Sequence, residues 1–335
     1  MMKTKGWILA GSLLLAGQRV LAAPPSTTND FMSPQEATQL VTRVAAAARD
    51  VTFQGIYVHQ HGDNMESFRV IHEAGNGADI ERRESLDGPP REMLRQGNQI
   101  SLYLPGGQVF PMDRRQSSKL FPRQLPDEPE HVLANYQIRL VGQERIAGVV
   151  TNIYDFDPKD KLRYAHRYWV DPDSGLMIKS LMLGSRHEPV EVFAFSQIQI
   201  GGALDKRLLK PVHPVKAAPL DDNPGTTALP KDPAWDIRNL PGGFRLLKVS
   251  QRPLTGKTKP VTHHLYSDGL VTVSVFIEPF DAAAPLGIAQ QAGISVFARQ
   301  AGPWLLTVLG EVPVDTVQAF SYGYTPKGEK AAAVQ

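Results

Sequence analysis

The chain has 335 residues, of which 42% are hydrophobic and 21% charged, enough apolar content for one large or two medium cores and too much for global disorder. It contains no cysteine, which excludes disulfides, thiolate metal sites, cysteine nucleophiles and a lipidated N-terminal cysteine. Its formal net charge of +2 is too small for a generic nucleic-acid binder.

The first residues read as a secretory signal. Lys3 and Lys5 form a basic start, Trp7 to Ala16 is a short apolar stretch, and Val20-Leu21-Ala22 offers a small-residue cleavage site. Cleavage after Ala22 or Ala23 removes Lys3, Lys5 and Arg19 and no acid, which moves the formal charge from +2 to −1. No other segment is long and apolar enough to span a bilayer as a helix. A soluble, exported chain without disulfides fits a periplasm better than the open medium.

Ser33-Pro34-Gln35-Glu36 is a capping box with proline at the first helical position, and it predicts a helix to about Arg49. Ala37, Leu40, Val41, Val44 and Ala48 mark its apolar face. A long run of strands and turns follows from Phe53 to Ile200. Phe53–Gln60 and Glu66–His72 flank a turn at 61–64, and Ile80–Leu86 comes next. Arg91–Arg95 and Gln99–Leu104 pair around Gln96-Gly97-Asn98. A looser stretch, Pro105 to Pro126, carries Arg114, Arg115, Lys119 and Arg123, and Glu128–Tyr136 reads as a short helix. Strands resume at Gln137–Gly142, Ile146–Phe156, Tyr164–Val170, Leu176–Leu183 and Val190–Ile200. A meander this long must curl and cover one face.

Prolines at 211, 214, 219, 224, 230 and 233 mark an inter-domain linker over 210–234. The expected organisation is therefore a signal at 1–22, a first domain at 23–209, the linker, a second domain at 235–324 and a tail at 325–335. The second domain is α+β. Phe244–Val249, His263–Tyr266, Leu270–Ile277, Ser295–Arg299 and Trp304–Gly310 read as strands, and Pro285–Gln291 and Val314–Ser321 as helices.

Catalytic equipment is missing from this pattern. Gly256-Lys257-Thr258 resembles the end of a phosphate loop, but Gln251 stands where its first glycine belongs. No nucleophile elbow or zinc-peptidase helix is present. His59 and His61 share a strand face, with His72 on the neighbouring strand, but histidines at hairpin ends are more often solvated than metal-bound. No cofactor, metal or catalytic residue is expected. Glu81, Glu84 and Glu92 alternate with Arg82, Arg83, Arg91 and Arg95, the pattern of charge pairing on an outer sheet face or of a polar rim for a partner. Apolar residues alternate along the strands at Ile56, Val58, Phe68, Val70, Leu102 and Leu104. One helix covers so wide a sheet incompletely, which leaves room for an apolar ligand or for a self-filled core.

Six segments resemble one family. They are Phe53-Gln-Gly55-Ile-Tyr57, Glu81–Arg95 (ERRESLDGPPREMLR), Glu144-Arg-Ile-Ala-Gly148, Tyr164–Lys179 (YAHRYWVDPDSGLMIK), Tyr266–Phe276 (YSDGLVTVSVF) and Gly310-Glu-Val-Pro313. In this order they resemble the RseB/MucB family of periplasmic negative regulators of an envelope-stress sigma factor, over nearly the whole mature chain. The resemblance implies a curved antiparallel sheet wrapped around helices, similar to lipoprotein carriers of the LolA type, plus a smaller α+β domain. It implies a partner, the periplasmic region of a single-span anti-sigma factor, which is shielded from proteolysis until lipid, lipopolysaccharide or lipoprotein acyl chains relieve the block. On this reading Ile56, Val58, Phe68, Val70, Leu102 and Leu104 line a lipid cavity. Arg82, Arg83, Arg91, Tyr266, Asp268 and Phe276 serve partner or phosphate recognition. Self-association through a sheet edge or apolar rim is a further expectation. The rival reading is a lipid or lipoprotein carrier with no regulatory partner. Phe320-Ser-Tyr-Gly-Tyr departs from the family pattern and predicts a short last helix.

Overall fold

The computed structural model describes residues 30–75, 79–97, 99–105, 108–111, 120–212, 227–229, 235–252 and 260–327. The signal at 1–22, most of the predicted linker and the tail from 328 lie outside the described residues.

Helix α1 (Pro34–Asp50) opens on the predicted capping box: Glu36 Oε2 accepts from the Ser33 backbone N–H at 2.9 Å, and Ser33 Oγ accepts from the Glu36 N–H at 3.3 Å. Six strands follow: β1 (Phe53–His61), β2 (Asn64–Glu73), β3 (Ile80–Ser85), β4 (Glu92–Gln96), β5 (Gln99–Leu104) and β6 (Gln108–Pro111). After α2 (Pro129–Asn135) come β7 (Tyr136–Ile146), β8 (Val149–Pro158), β9 (Ala165–Val170), β10 (Met177–Leu183) and β11 (Pro189–Ile200). These form one antiparallel sheet in the order β6-β5-β4-β3-β2-β1-β11-β10-β9-β8-β7. Two meanders are thus joined where β1 pairs with β11. The β7–β8 turn falls at Ala147-Gly148, both with positive φ, rather than at 143–145 as the strand pattern predicted.

The sheet curls around α1 and α2. Ala37, Val41, Val44 and Ala45 of α1 join Phe53, Tyr57, Phe156 and Tyr168 in the core. Residues 120–125 add a further cover, through Phe121 and Leu125.

A second sheet is built from β12 (Thr227–Leu229), β14 (Arg245–Arg252), β15 (Val261–Ser267), β16 (Thr272–Pro279), β17 (Gly287–Gln291), β18 (Ile294–Ala301) and β19 (Trp304–Gly310), in the order β12-β14-β15-β16-β19-β18-β17. Part of the predicted linker is therefore strand β12, paired with β14. Strand β13 (Trp235–Ile237) pairs separately with β20 (Tyr324–Pro326), and α3 (Val314–Tyr322) packs on β18 and β19. The predicted helix at Pro285–Gln291 is instead the edge strand β17. The two-residue turn Ala292-Gly293, with φ of 47° and 78°, folds this segment back along β18. The fold is β-rich α+β, a large curved antiparallel sheet around helices with a smaller sheet unit beside it.

Candidate functional site

Strand register assigns each predicted residue to a face. Tyr57 lies opposite Phe68, Gly55 opposite Val70, Val70 opposite Arg83, and Met93 opposite Leu102. Phe68, Val70, Leu102 and Leu104 therefore share the inner face with Tyr57. Ile56 pairs with Arg69 and Val58 with Ser67, so both point to the other side of the sheet. The six apolar candidates do not form one cavity. Ile56 borders an open outer cleft of about 480 Å³, with Ile71, Arg69 and Leu208.

The inner face is packed around these residues. Tyr57 stacks on Phe68 at 5.3 Å, and Phe121 lies 5.2 Å from Tyr57 and 5.4 Å from Phe193. Val70 is fully buried. Phe121, which no strand pattern picks out, is the lid of this aromatic cluster. Arg83 donates both to the Tyr57 hydroxyl at 2.8 Å and to the Phe121 carbonyl at 2.7 Å, tying the lid to the sheet.

The Glu81–Arg95 stretch carries ion pairs on both faces. Inside, Glu81 meets Arg83 at 2.8 Å and Arg95 at 3.2 Å, and Asp79 joins Arg95, Arg123 and His72. Burial opposes the charge on Glu81, but the Arg83 and Arg95 guanidiniums prevail and hold its carboxyl down at about 2. Outside, Arg82 meets Glu92 at 2.7 Å and Glu84 at 3.1 Å, and donates to the Leu208 carbonyl. The Val212 N–H donates to Glu92 at 3.0 Å, so the chain leaving the first domain is strapped over this outer face. The pairing is thus not confined to a solvated outer face: chain covers both faces here. Arg91 alone of the three candidate arginines stays accessible, paired with Glu66 at 2.7 Å.

The candidates of the second domain divide in the same way. Asp268, 1% exposed, sits at the junction between the two units. Its carboxylate lies 3.0 Å from Arg163 Nε as an ion pair and accepts from the Tyr136 hydroxyl at 3.2 Å, while Asn135 Nδ2 donates to its backbone carbonyl at 3.0 Å. Burial, with the Asp268 charge beside it, pushes Tyr136 well above the ordinary phenol range. Arg163 also donates to the Gly242 carbonyl at 2.7 Å, and Thr316 to the Leu162 carbonyl at 2.8 Å. Tyr266 is buried, its hydroxyl 2.6 Å from that of Tyr324. Phe276 lies on the outer face of the second sheet, half-buried and stacked on His263 at 4.4 Å. Burial therefore keeps Arg82, Arg83, Tyr266 and Asp268 out of reach of a docking partner in this arrangement. Asn135, Tyr136 and Arg163, which join the units, carry no local sequence signal.

The histidines do not converge. His59 contacts Glu191 at 2.8 Å, whereas His72 is buried opposite Phe53 and bonds the Val51 carbonyl at 2.7 Å. Among the described residues, no three His, Cys, Asp or Glu side chains gather to hold a metal. Among them, too, no helix is long and apolar enough to cross a membrane.

A cleft of about 430 Å³ lies where the hairpin β17–β18 meets the hairpin β1–β2, lined by Ala289, Ile294 and Val296 with His61 and Asn64.

Residues 36–213 match the MucB/RseB N-terminal domain family and residues 230–324 the MucB/RseB C-terminal domain family. The chain is 30% identical over 322 residues to the sigma factor AlgU regulatory protein MucB of Pseudomonas aeruginosa, covering 94% of this chain and 97% of that protein. It is 24% identical to the sigma-E factor regulatory protein RseB of Escherichia coli K12, covering 83% of this chain and 87% of that one. The fold is similar to MucB in the Pseudomonas aeruginosa MucA/MucB complex, with a TM-score of 0.70 at 26% identity, over 88% of this chain and all of that one. Against MucB crystallised alone the TM-score is 0.61 at 27% identity, over 88% and 98%. With both of its domains matched, the chain belongs to the MucB/RseB family.

Proposed function

We propose that this chain is a non-enzymatic periplasmic regulator that binds the periplasmic region of a single-span anti-sigma factor and shields it from regulated proteolysis. The observation that carries this reading is the full-length similarity to MucB, whose complex with MucA is solved. The better superposition on complexed than on free MucB supports the further reading that the arrangement seen here, called closed because Arg163 and Asp268 join the two units, is the partner-binding one.

Lipid-like envelope signals, such as acyl chains of displaced lipopolysaccharide or lipoprotein, act on the first domain and favour an arrangement with lower partner affinity. An acyl chain entering the inner face between Tyr57 and Phe193 has to displace Phe121. By linkage, the partner weakens lipid binding by the same factor. The test mixes the mature chain with the periplasmic region of its cognate anti-sigma factor and with the envelope protease that cleaves it. Saturable binding and slowed cleavage are expected, both reversed by lipopolysaccharide. Absence of binding to the folded chain refutes the proposal. An affinity indifferent to lipid refutes the switch.

A further inference from the structure

Sheet edges are templates for strand addition, and proteins guard them with charge, proline, bulges or brevity. Among the described residues, three of the four edges of the two larger sheets are guarded. Strand β6 has four residues and ends in Pro111, and β12 has three residues. Strand β7 is long but carries Arg139, Glu144 and Arg145 and a bulge between Leu140 and Gly142. Strand β17 has no such guard. All five of its residues are exposed, and no charged residue or histidine occurs from Ala282 to Ala298. Ile288 is 55% exposed and Leu286, just before the strand, 53%. Among the described residues no strand pairs with its outer edge.

The β17–β18 register shows which backbone groups are offered. Gln291 and Ile294 flank the two-residue turn and form its hydrogen-bonded pair, as do Ala289 and Val296 two residues on. The N–H and C=O groups of Ile288 and Gln290 therefore point outward. Past Gln291 the edge opens into the cleft between the two hairpins. A neighbouring cleft, sharing His61 and Asn64, continues from it along Met65, Glu66 and Asp87.

We infer that the open edge of β17 takes up an extended segment of the anti-sigma factor as an added strand. This inference rests on the regulatory reading above and deepens it. Backbone pairing to Ile288 and Gln290 supplies register. Alternate side chains of the segment enter the apolar floor of Ala289, Ile294 and Val296, so every second residue there is apolar. Continuity with the cleft favours an unfolded segment over a second copy of this chain. A strand closed by its own turn at Ala292-Gly293 cannot run on between the hairpins.

The test uses the full mature chain and the whole periplasmic region of the cognate anti-sigma factor. Ile288→Pro deletes an outward donor while leaving the pairing to β18, and Ile288→Val keeps the backbone intact. The proline variant is expected to raise Kd about tenfold, with the valine variant near wild type. An unchanged Kd in a proline variant that melts like wild type overturns the inference. Hydrogen exchange on the wild-type chain covers the case in which the proline variant misfolds. Added partner is expected to protect the amides of Ile288 and Gln290. Binding without that protection overturns this inference alone, whereas no binding at all removes the regulatory reading together with it. Protection that rises with chain concentration in the absence of partner assigns the edge to a second copy and overturns the partner assignment.

Discussion

Glu81 stands between two guanidinium groups on the inner face of a sheet, and chain covers that face. Its folded pKa of about 2 lies below the 4.5 of a free glutamate, so its stabilisation is complete above the higher value and is lost as pH falls towards the lower one. Asp79 moves the same way: burial opposes its charge, but hydrogen bonds from His72 and Arg95 and the charges of Arg95 and Arg123 prevail. Replacing Glu81 with Gln leaves two buried cations short of a partner. It should cost about 3–5 kcal/mol near neutral pH, with a shallower loss of stability on acidification than in wild type. Urea melts across the acid range check both, and an acid slope identical in wild type and Glu81→Gln removes Glu81 from the account. The alternation of Glu and Arg was legible in the sequence, but its burial was not. Alternation assigns residues to two faces without saying which is covered, and here residues 120–125 cover one and residues 206–212 the other. Arg163 and Asp268 were harder still, because their pairing joins residues more than a hundred positions apart.

At the scale of elements, periodic segments with explicit end signals were readable. The capping box at Ser33 opened α1, and glycine turns between β-branched runs delimited most strands. At Pro285–Gln291 the local signals point to a helix where a strand forms. Pro285, with Leu286 and then Ala289, Gln290 and Gln291, resembles a helix start, but Gly287 and Ile288 interrupt it, and the Ala292-Gly293 turn and the pairing to β18 decide the outcome. The six apolar candidates were real strand residues, but a one-residue difference in parity divided Ile56 and Val58 from the rest. Phe121 carries no sequence signal because it lies in no periodic element. Its ring packs against Tyr57, Phe193 and Phe195, so Phe121→Ala should destabilise the chain by about 3–5 kcal/mol and leave a cavity beside those three rings. An apolar fluorescent probe should bind the variant more tightly than wild type. A destabilised variant with no gain in probe binding would place the acyl site elsewhere, with the outer cleft at Ile56 and Leu208 next to be tried.

At the scale of the whole molecule, the proposed regulatory switch requires the two units to separate when a partner is released. They meet through the polar junction of Arg163, Asp268, Tyr136 and Asn135 and through hairpin tips: a Cβ built on Gly62 would stand 2.8 Å from that of Ala292. A chain without cysteine lets that contact be fixed covalently with no competing thiol. Gly62→Cys with Ala292→Cys brings two thiols within reach once the turns open by about 1 Å to the usual Cβ spacing of a disulfide. The oxidised double variant holds the closed arrangement and leaves the edge of β17 uncovered. It should therefore bind the anti-sigma region as well as the reduced form does, and lipopolysaccharide should displace the partner only after reduction. Partner release by lipid from the oxidised form would show that the signal does not travel through domain separation. Loss of partner binding on oxidation would show that the closed arrangement is not the competent one. Retained binding with lost lipid response is the pattern that a two-domain switch requires, because a ligand shifts an equilibrium only between arrangements the chain is free to adopt.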